Sequence, residues 1–539
     1  MADSHVMMRK YNEFVGDESL ERMGNDVPKD MLQVERHKTG VFFGVKFGKE
    51  HDGRDGFRYV GKPLNRDGHV LVVGGAGSGK SSCIAIPTLE TWGGMIFAID
   101  IKGELTENWL NVKKPNKRIK TFGFDKHQGI LSRYNPFYLL DKDDDDLVQN
   151  AREIAQAIIP MPPNVLEPFW TQAAQHVLTG ALLYVFGLSS VDEDTGEVLG
   201  GTFNQAMTMI QTTPLWKLIE DISNSCNVPA MMHINQFLTN YDFKNGRYTA
   251  NYEAKESKVL AGISAELSNR VMVFATDMRI KAAFASADDM VKWEDLETHN
   301  IFMRIPEDKL GQWDGAITLM LTQLIRTLER RPDVHSAEGK KRNLPPVLLL
   351  LDEFPRLGKV DVIQNAVSTL RSKGVTICLM MQSLAQLDKM YGKESRQIIV
   401  DNCQYKAILN VTDPENQKIF SDMIGSINVS KKSVGDGVSE NIGKNIGESS
   451  VVGELGSYST GETKGAAANR SLNISGSREP IIYPHELAIL ATLKDERLGD
   501  LALMTPEGFC RIHKSPHYSP IVGGNEQNKD TSPVMGKCP

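Results

Sequence analysis

The residues at 74–81 read Gly-Gly-Ala-Gly-Ser-Gly-Lys-Ser, which is the spacing G-x-x-x-x-G-K-[ST] of a phosphate-binding loop. Backbone N–H groups can close around a triphosphate only where side chains are absent or small, and every residue before Lys80 is Gly, Ala or Ser. Lys80 then reaches the β- and γ-phosphates, and Ser81 offers a hydroxyl to Mg²⁺. The loop therefore predicts ATP and Mg²⁺ as cofactors. The residues assigned to nucleotide binding are Gly74, Gly75, Gly77, Gly79, Lys80, Ser81 and Ser82.

Two adjacent acids, Asp352 and Glu353, directly follow the apolar run Val347–Leu351. A carboxylate at the end of a strand beside a phosphate loop can hold Mg²⁺, and a second can orient and activate the attacking water. Packing alone explains a buried strand that ends on two acids poorly. We therefore predict that Asp352, with Ser81, binds the metal and that Glu353 takes part in hydrolysis.

Gln382 follows the next apolar run, Val375–Met381, and Arg371 precedes that run. At the C-terminal edge of an open α/β sheet, Gln382 can hydrogen-bond the γ-phosphate, although a polar residue there can equally be a cap. Arg371 is a candidate arginine finger, which in ring-shaped ATPases completes the site of the neighbouring subunit. Arg356 is the competing candidate, and a solvated arginine at a helix C-terminus is the plain alternative for Arg371.

Strands alternate with helices around these motifs, which predicts an α/β fold with an open, parallel sheet. Between residues 141 and 293 strand signals vanish and helical periodicity replaces them, which predicts an all-helical domain inserted into the α/β core. The other predicted strands are the apolar runs His69–Val73, Met95–Ile99, Ile301–Pro306 and Lys406–Val411. The predicted helices of the insertion are 147–159, 169–186, 207–222 and 260–274.

Composition divides the rest of the chain. The first 40 residues are polar and mixed in charge, which predicts a loosely packed arm, and 40–62 reads as a β-hairpin. Residues 426–477 are rich in Gly, Ser and Asn, so we predict a long flexible loop there and a disordered tail at 521–539. The predicted parts of the nucleotide-binding core are 41–140, 294–425 and 478–520.

The overall composition excludes several classes of protein. A net charge of −7 argues against a generally basic nucleic-acid coat, so any DNA contact must come from a local basic surface. Six scattered cysteines without a C-x-x-C pair predict buried thiols in a reducing compartment and no metal site. No apolar run reaches the ~18 residues of a membrane span, and the first residues lack the apolar core of a secretory signal. These features predict a cytoplasmic location.

Together the motifs resemble those of the type IV secretion coupling proteins, the hexameric ATPases of bacterial conjugation. The resemblance extends from about residue 40 to 518 and implies a RecA-like P-loop NTPase core with an inserted all-α domain. It matches Lys80, Asp352, Glu353 and Gln382 to the family's site motifs and places Arg371 at the position of the proposed finger. The segments that carry it are GGAGSGKSS at 74–82, DIKGEL at 100–105, YNPF at 134–137, EPFW at 167–170, LLDEFPRLG at 350–358, MQSLAQLDKMYG at 381–392 and REPIIYPHEL at 478–487.

Three residues of these motifs carry a weaker prediction. Asp100 and Lys102 match a family motif whose task does not follow from the residues themselves. Trp170 lies in the inserted domain, where an aromatic side chain is more often part of the core than of a contact surface.

The resemblance implies an ATP-driven coupling protein that brings a relaxase–DNA complex, or protein substrates, to a type IV secretion channel. The implied partners are single-stranded or duplex DNA, the relaxosome, channel components and five further copies of the chain in a ring. Members usually carry an N-terminal membrane anchor, and none occurs in this sequence, which is that of either a naturally anchorless member or a trimmed one. Recruitment to the cytoplasmic face of the membrane through partners is therefore expected. The alternatives are a duplex-DNA translocase, a channel-assembly ATPase, and a receptor platform that uses nucleotide only for assembly.

Overall fold

The computed structural model describes residues 26–49, 55–111, 118–123, 132–162, 167–191, 198–285, 289–335, 342–446, 460–490 and 499–518. Twelve of its strands form one mixed sheet, and three further pairs form separate two-stranded ribbons. The strands are β1 (Leu32–Gln33), β2 (Val41–Lys49), β3 (Asp55–Lys62), β4 (Val70–Gly74), β5 (Met95–Asp100), β6 (Ile119–Gly123), β7 (Ser190–Val191), β8 (Val198–Leu199), β9 (Tyr241–Lys244), β10 (Arg247–Ala250), β11 (Asn300–Arg304), β12 (Val347–Leu351), β13 (Val375–Met381), β14 (Tyr405–Asn410), β15 (Ser426–Ile446), β16 (Thr460–Pro480), β17 (Asp500–Thr505) and β18 (Gly508–His513).

Helices lie on both faces of the sheet and form the insertion. They are α1 (Ile86–Thr91), α2 (Glu104–Asn111), α3 (Leu147–Ile158), α4 (Phe169–Gly187), α5 (Phe203–Thr212), α6 (Leu215–Ser223), α7 (Val228–Ile234), α8 (Tyr252–Lys255), α9 (Lys258–Thr276), α10 (Met278–Ala283), α11 (Asp314–Arg330), α12 (Ile363–Thr369), α13 (Leu384–Tyr391), α14 (Lys393–Asn402), α15 (Pro414–Ile424) and α16 (Glu486–Ile489).

Seven neighbouring strands of the sheet are parallel, in the order β14-β4-β13-β12-β5-β11-β6. Their side chains alternate between two apolar cores, one on each face of the sheet: Val70 and Val72 belong to one, Leu71 and Val73 to the other. Burial on both faces explains why these strands read as continuous apolar runs in the sequence. The predicted α/β fold with a parallel sheet is confirmed, and all carboxyl ends of the seven strands meet at one edge.

An antiparallel part extends the sheet beyond β14 in the order β17-β18-β2-β3-β1, so the predicted hairpin at 40–62 is an integral part of the sheet. The prediction of a loosely packed arm is wrong for residues 26–40. β1 pairs with β3, and Val27 and Met31 are buried against the hairpin, because the polar segment carries apolar side chains at the positions that face the core. Residues 1–25 lie outside the described part.

The described residues between 141 and 293 are mainly helical, from α3 to α10. The predicted helix 207–222 is two helices, α5 and α6, because Pro214 lies between them and cannot continue the hydrogen bonding of the first. The insertion also holds the small ribbons β7–β8 and β9–β10, which the search for helical periodicity did not find.

The two ends of the insertion meet in one buried hydrogen-bond network. The Tyr134 hydroxyl accepts a hydrogen bond from Trp293 Nε1 at 2.9 Å and donates one to Gln323 Oε1 on α11. Gln323 Nε2 in turn donates to the carbonyl of Pro136 at 2.8 Å. Tyr134 follows β6 and Trp293 precedes β11, two strands that are neighbours in the sheet. The YNPF segment therefore fastens the insertion to the core.

Substitution Tyr134→Phe is expected to lower the free energy of unfolding by about 1–3 kcal/mol, because the buried Trp293 N–H and Gln323 carbonyl lose their partner while the ring volume stays. Urea denaturation followed by circular dichroism measures this change. Tyr252→Phe, which alters a tyrosine that is 79% exposed, is the matched control. Equal denaturation midpoints for the two variants would contradict the role given to this network.

The prediction of a flexible loop at 426–477 is wrong for the described residues, because β15 and β16 pair in an antiparallel ribbon from Ser426 with Pro480 to Ile446 with Thr460. The prediction of a loop rested on the scarcity of large apolar residues. Hydrogen bonds between the backbones of two strands do not depend on such residues. Residues 447–459, and the predicted tail at 521–539, lie outside the described part.

Candidate functional site

The phosphate loop leaves the carboxyl end of β4 and turns directly into a helical segment at Lys80. Gly77 has φ +71° and Gly79 has φ +95°, the left-handed region that glycine enters without strain. A Cβ on Gly74 would lie 2.4 Å from Ser78 Oγ, so this position has no room for a side chain. Gly74 is thus required by the lack of space, and Gly77 and Gly79 by the path of the backbone.

Lys80 is buried next to this loop, with 7% of its surface exposed. Its Nζ donates to the carbonyls of Gly74 at 2.8 Å and Gly75 at 3.3 Å, and lies 3.6 Å from Glu353 Oε1. The ammonium is therefore held at the mouth of the loop, between backbone carbonyls and an acid.

The acids predicted from the sequence lie beside the loop, at the carboxyl end of β12. Ser81 Oγ donates to Asp352 Oδ2 at 3.3 Å, so the two proposed metal ligands are adjacent. Burial, followed by the nearby charge of Glu353, raises the pKa of Asp352. Hydroxyl and carboxylate oxygens are the ligands that Mg²⁺ prefers, and a partly desolvated carboxylate beside a second acid favours a divalent cation. These residues fit Mg²⁺.

Glu353 has a strained backbone, with φ +49° and ψ +39° in a residue other than glycine. Such conformations persist only where the surroundings impose them and are concentrated at functional sites. Gln382 supports the carboxylate: its Nε2 donates to both Glu353 oxygens, each at 3.1 Å. The strand-end glutamine predicted to contact the γ-phosphate therefore also positions Glu353.

The two candidate fingers lie at opposite edges of the sheet. Arg356 lies at the carboxyl edge of the sheet, as Glu353 does, and donates to Glu307 Oε1 at 2.8 Å. Arg371 lies before the first residue of β13, at the amino edge, and is exposed. No hydrogen bond or ion pair joins its guanidinium to the described residues. Because the seven residues of β13 span about 20 Å, Arg371 is too far from the phosphate loop of its own chain to touch a ligand there.

Asp100 has a structural task that its motif did not reveal. It is buried at the end of β5, and Oδ2 accepts from Thr106 N at 2.8 Å and from Thr106 Oγ1 at 2.6 Å. The carboxylate thus satisfies free N–H groups in the first turn of α2, where negative charge is also favourable. Lys102, two residues later, is exposed.

The prediction that Trp170 belongs to the core is wrong, because its side chain is 40% exposed. The residue lies in the first turn of α4, where one part of the ring covers Gly262 of α9 and leaves the rest uncovered. A Cβ on Gly262 would lie 2.6 Å from this ring. The exposed Phe169 packs edge-on against it at 5.1 Å between ring centroids.

The segment after β18, which no sequence motif marks, contacts the phosphate loop. Lys514 Nζ donates to the carbonyl of Ser78 at 3.1 Å, and the His517 backbone N–H donates to the carbonyl of Ser82 at 2.9 Å. A lysine directly after an apolar strand was the only signal available, and it is a weak one.

Fold and site together define a P-loop protein with a RecA-like α/β core and an inserted helical domain. The family model described as type IV secretory system conjugative DNA transfer matches residues 19–498, and the chain belongs to this family. Among the described residues, the helices include none with the length and apolar character of a membrane span.

The relatives that this chain matches are distant in sequence. VirD4 of Rhizobium radiobacter is 25% identical over 360 residues, 66% of this chain and 48% of that protein. VirD4 of Rhizobium rhizogenes is 23% identical over 84% of this chain and 58% of its own length. TraG of Escherichia coli is 22% identical over 74% of this chain and 60% of its own. The chain thus spans about half the length of the relatives it matches.

Solved structures of a bacterial conjugative coupling protein, TrwB, have the same fold. The unbound form of TrwBdeltaN70 matches with a TM-score of 0.56 and 16% identity, covering 83% of this chain and 85% of that one. TrwB in complex with a non-hydrolysable ATP analogue matches with a TM-score of 0.57 and 15% identity, over 85% and 87%. The predicted RecA-like fold is confirmed.

Proposed function

We propose that this chain is an ATP-driven coupling protein that recruits a relaxase–DNA complex, or protein substrates, to a type IV secretion channel and energises conjugative transfer. The observation that carries the proposal is the convergence of phosphate-binding, metal-binding and water-activating side chains at one edge of the sheet. These side chains are Lys80, Ser81, Asp352, Glu353 and Gln382. Membership in the conjugative transfer family supports the cellular task.

In this proposal the loop from Gly74 to Ser82 holds the phosphates of ATP, and Ser81 and Asp352 hold Mg²⁺. The structure of TrwB in complex with ADP and Mg²⁺ supports nucleotide and magnesium as the ligands. The metal would neutralise charge on the phosphates. The Lys80 ammonium donates to backbone carbonyls and lies 3.6 Å from Glu353. A charged phosphate oxygen would be a stronger acceptor than these neutral carbonyls and would replace them.

Glu353 is the proposed general base. It accepts a proton from water as the water oxygen bonds to the γ-phosphorus and the bond to the β-phosphate oxygen breaks, which releases ADP and phosphate. The two hydrogen bonds from Gln382 fix the carboxylate without neutralising it, because the amide is an uncharged donor.

Arg371 is the proposed arginine finger, and it acts on the neighbouring subunit. Its exposure, its lack of a partner among the described residues and its place at the amino edge of β13 favour it over Arg356, which is paired with Glu307. A finger that reaches the next site requires a head-to-tail ring, which supports the proposed homohexamer.

Single-stranded or duplex DNA is the proposed cargo, held by backbone charge without sequence readout, and the helical domain is the proposed docking site for relaxase. Family membership supports action at the cytoplasmic face of the inner membrane, reached through channel components. The second candidate function, a receptor platform that needs nucleotide only for assembly, is favoured by the exposed Phe169–Trp170 pair on the helical domain, which offers an apolar docking surface.

Steady-state ATP hydrolysis tests the motor. We expect wild type to be stimulated by single-stranded DNA, less so at high salt because phosphate contacts weaken, and Lys80→Ala to be inactive. Lys418→Ala, an exposed lysine on α15, is the control and should behave as wild type. Hydrolysis that needs neither Lys80 nor DNA would exclude the motor.

A further inference from the structure

The chain after β18 forms a strap, residues 514–518, that passes beneath the phosphate loop. Lys514 and Ser515 have no exposed surface, and the Lys514 backbone N–H is fixed by the carbonyl of Gly499 at 2.7 Å. This segment belongs to none of the sequence motifs and has no role in the proposed hydrolysis.

Lys514 is a buried cation without an ion pair to any described carboxylate. Its Nζ donates to two backbone carbonyls, those of Ser78 at 3.1 Å and Leu409 on β14 at 3.2 Å. Burial lowers the pKa of this lysine to about 8, and Cys83 and Asp500 act in the opposite direction. Burying a charged ammonium costs free energy unless a group of opposite charge lies nearby. An anion bound in the adjacent loop would supply that charge.

The contact with Ser78 fixes the direction of a peptide group in the loop. In a trans peptide the C=O and the next N–H point to opposite sides. Because Lys514 holds the Ser78 carbonyl, the N–H of Gly79 is turned away from Lys514 and stays free to donate to a phosphate bound by the loop.

The second contact of the strap satisfies a carbonyl that the helix cannot. The turn from Lys80 to Ala85 is a π-helix, in which Ile86 N donates to Ser81, five residues back. The corresponding donor for Ser82 would be residue 87, which is proline and has no N–H. The backbone N–H of His517 takes its place at 2.9 Å.

We propose that the strap is a positioning element of the nucleotide site: Lys514 and the His517 N–H hold the loop in its phosphate-accepting shape, and the Lys514 charge adds to its affinity for phosphates. The inference rests on the proposed nucleotide binding by the loop. Both contacts act on the ground-state complex, so their loss should weaken binding more than turnover.

Affinity for ADP and ATP, measured with a fluorescent analogue, and kcat at saturating ATP test the proposal. Lys514→Met should raise the Kd about 10–100-fold with a far smaller change in kcat, because a bond to a charged group is lost. Lys62→Met is the matched control: Lys62 is equally buried, has a pKa lowered to about 8 by burial, and donates to Thr376 at the opposite sheet edge. It should destabilise the fold and leave the Kd unchanged.

A second pair tests the strap even if Lys514→Met does not fold. His517→Pro removes the backbone donor to Ser82 and the imidazole, whose Nδ1 lies 3.4 Å from the same carbonyl, and it also fixes φ at this position. His517→Ala removes the imidazole and keeps the backbone donor. We expect weaker nucleotide binding in the first variant alone. Equal Kd values in this pair, or in Lys514→Met and Lys62→Met, would overturn the proposal. Absence of binding in wild type would instead overturn the proposed function.

Discussion

Glu353→Gln is expected to bind ATP as tightly as wild type and to hydrolyse it about 10²–10⁴-fold more slowly. Glutamine retains the size of the side chain and one carbonyl oxygen that can accept the hydrogen bond of Gln382 Nε2. It lacks the charge and basicity needed to take the proton from water. The loop and Asp352 are untouched, so phosphate and metal binding persist.

Single-turnover hydrolysis and equilibrium binding measured on the same preparation separate these two effects. Glu307→Gln is the control. Glu307 is an acid at the same sheet edge, but it pairs with Arg356 and not with the proposed catalytic residues. Normal turnover in Glu353→Gln would exclude it as the base. Conjugation assays with this variant address the platform hypothesis, since transfer that persists without hydrolysis would support a receptor.

Arg371→Ala is expected to reduce turnover about 10³–10⁵-fold, the range for loss of an arginine finger, while each site retains nucleotide. The effect should be exerted across the subunit boundary, because Arg371 and the phosphate loop lie at opposite edges of the same sheet. Mixing Arg371→Ala with Glu353→Gln should therefore restore activity, since some interfaces combine an intact Glu353 with an intact Arg371.

The matched variant is Arg356→Ala, on the edge of Glu353. If Arg356 were the finger, its loss rather than that of Arg371 would abolish turnover. Two inactive variants that stay inactive after mixing would show that Glu353 and Arg371 act within one subunit. The first outcome would contradict the assignment of Arg371 as the finger, and the second would contradict the head-to-tail ring.

Much of the site could be predicted because its residues end neighbouring strands. The apolar runs before Asp352 and Gln382 identify parallel strands, and parallel strands bring their carboxyl ends to one edge. Side chains that follow such strands therefore meet the phosphate loop, although 271 residues separate Ser81 from Asp352.

Other features leave no local pattern. Lys514 contacts Ser78 across 436 positions, and nothing near either residue encodes the pairing. Trp170 was misjudged because its burial depends on Gly262, a neighbour on another helix. The β15–β16 ribbon was missed because backbone pairing can organise a stretch whose composition indicates disorder.

The network around Tyr134 and Trp293 has a consequence for how such proteins diversify. The chain leaves the sheet after β6 and returns before β11, and these two strands lie side by side. An insertion whose ends are adjacent can be lengthened, shortened or exchanged without changing the order of the strands that carry the phosphate loop and the acids. Chimaeras that exchange the insertion at this junction would therefore test whether it determines the choice of cargo, as proposed for the helical domain.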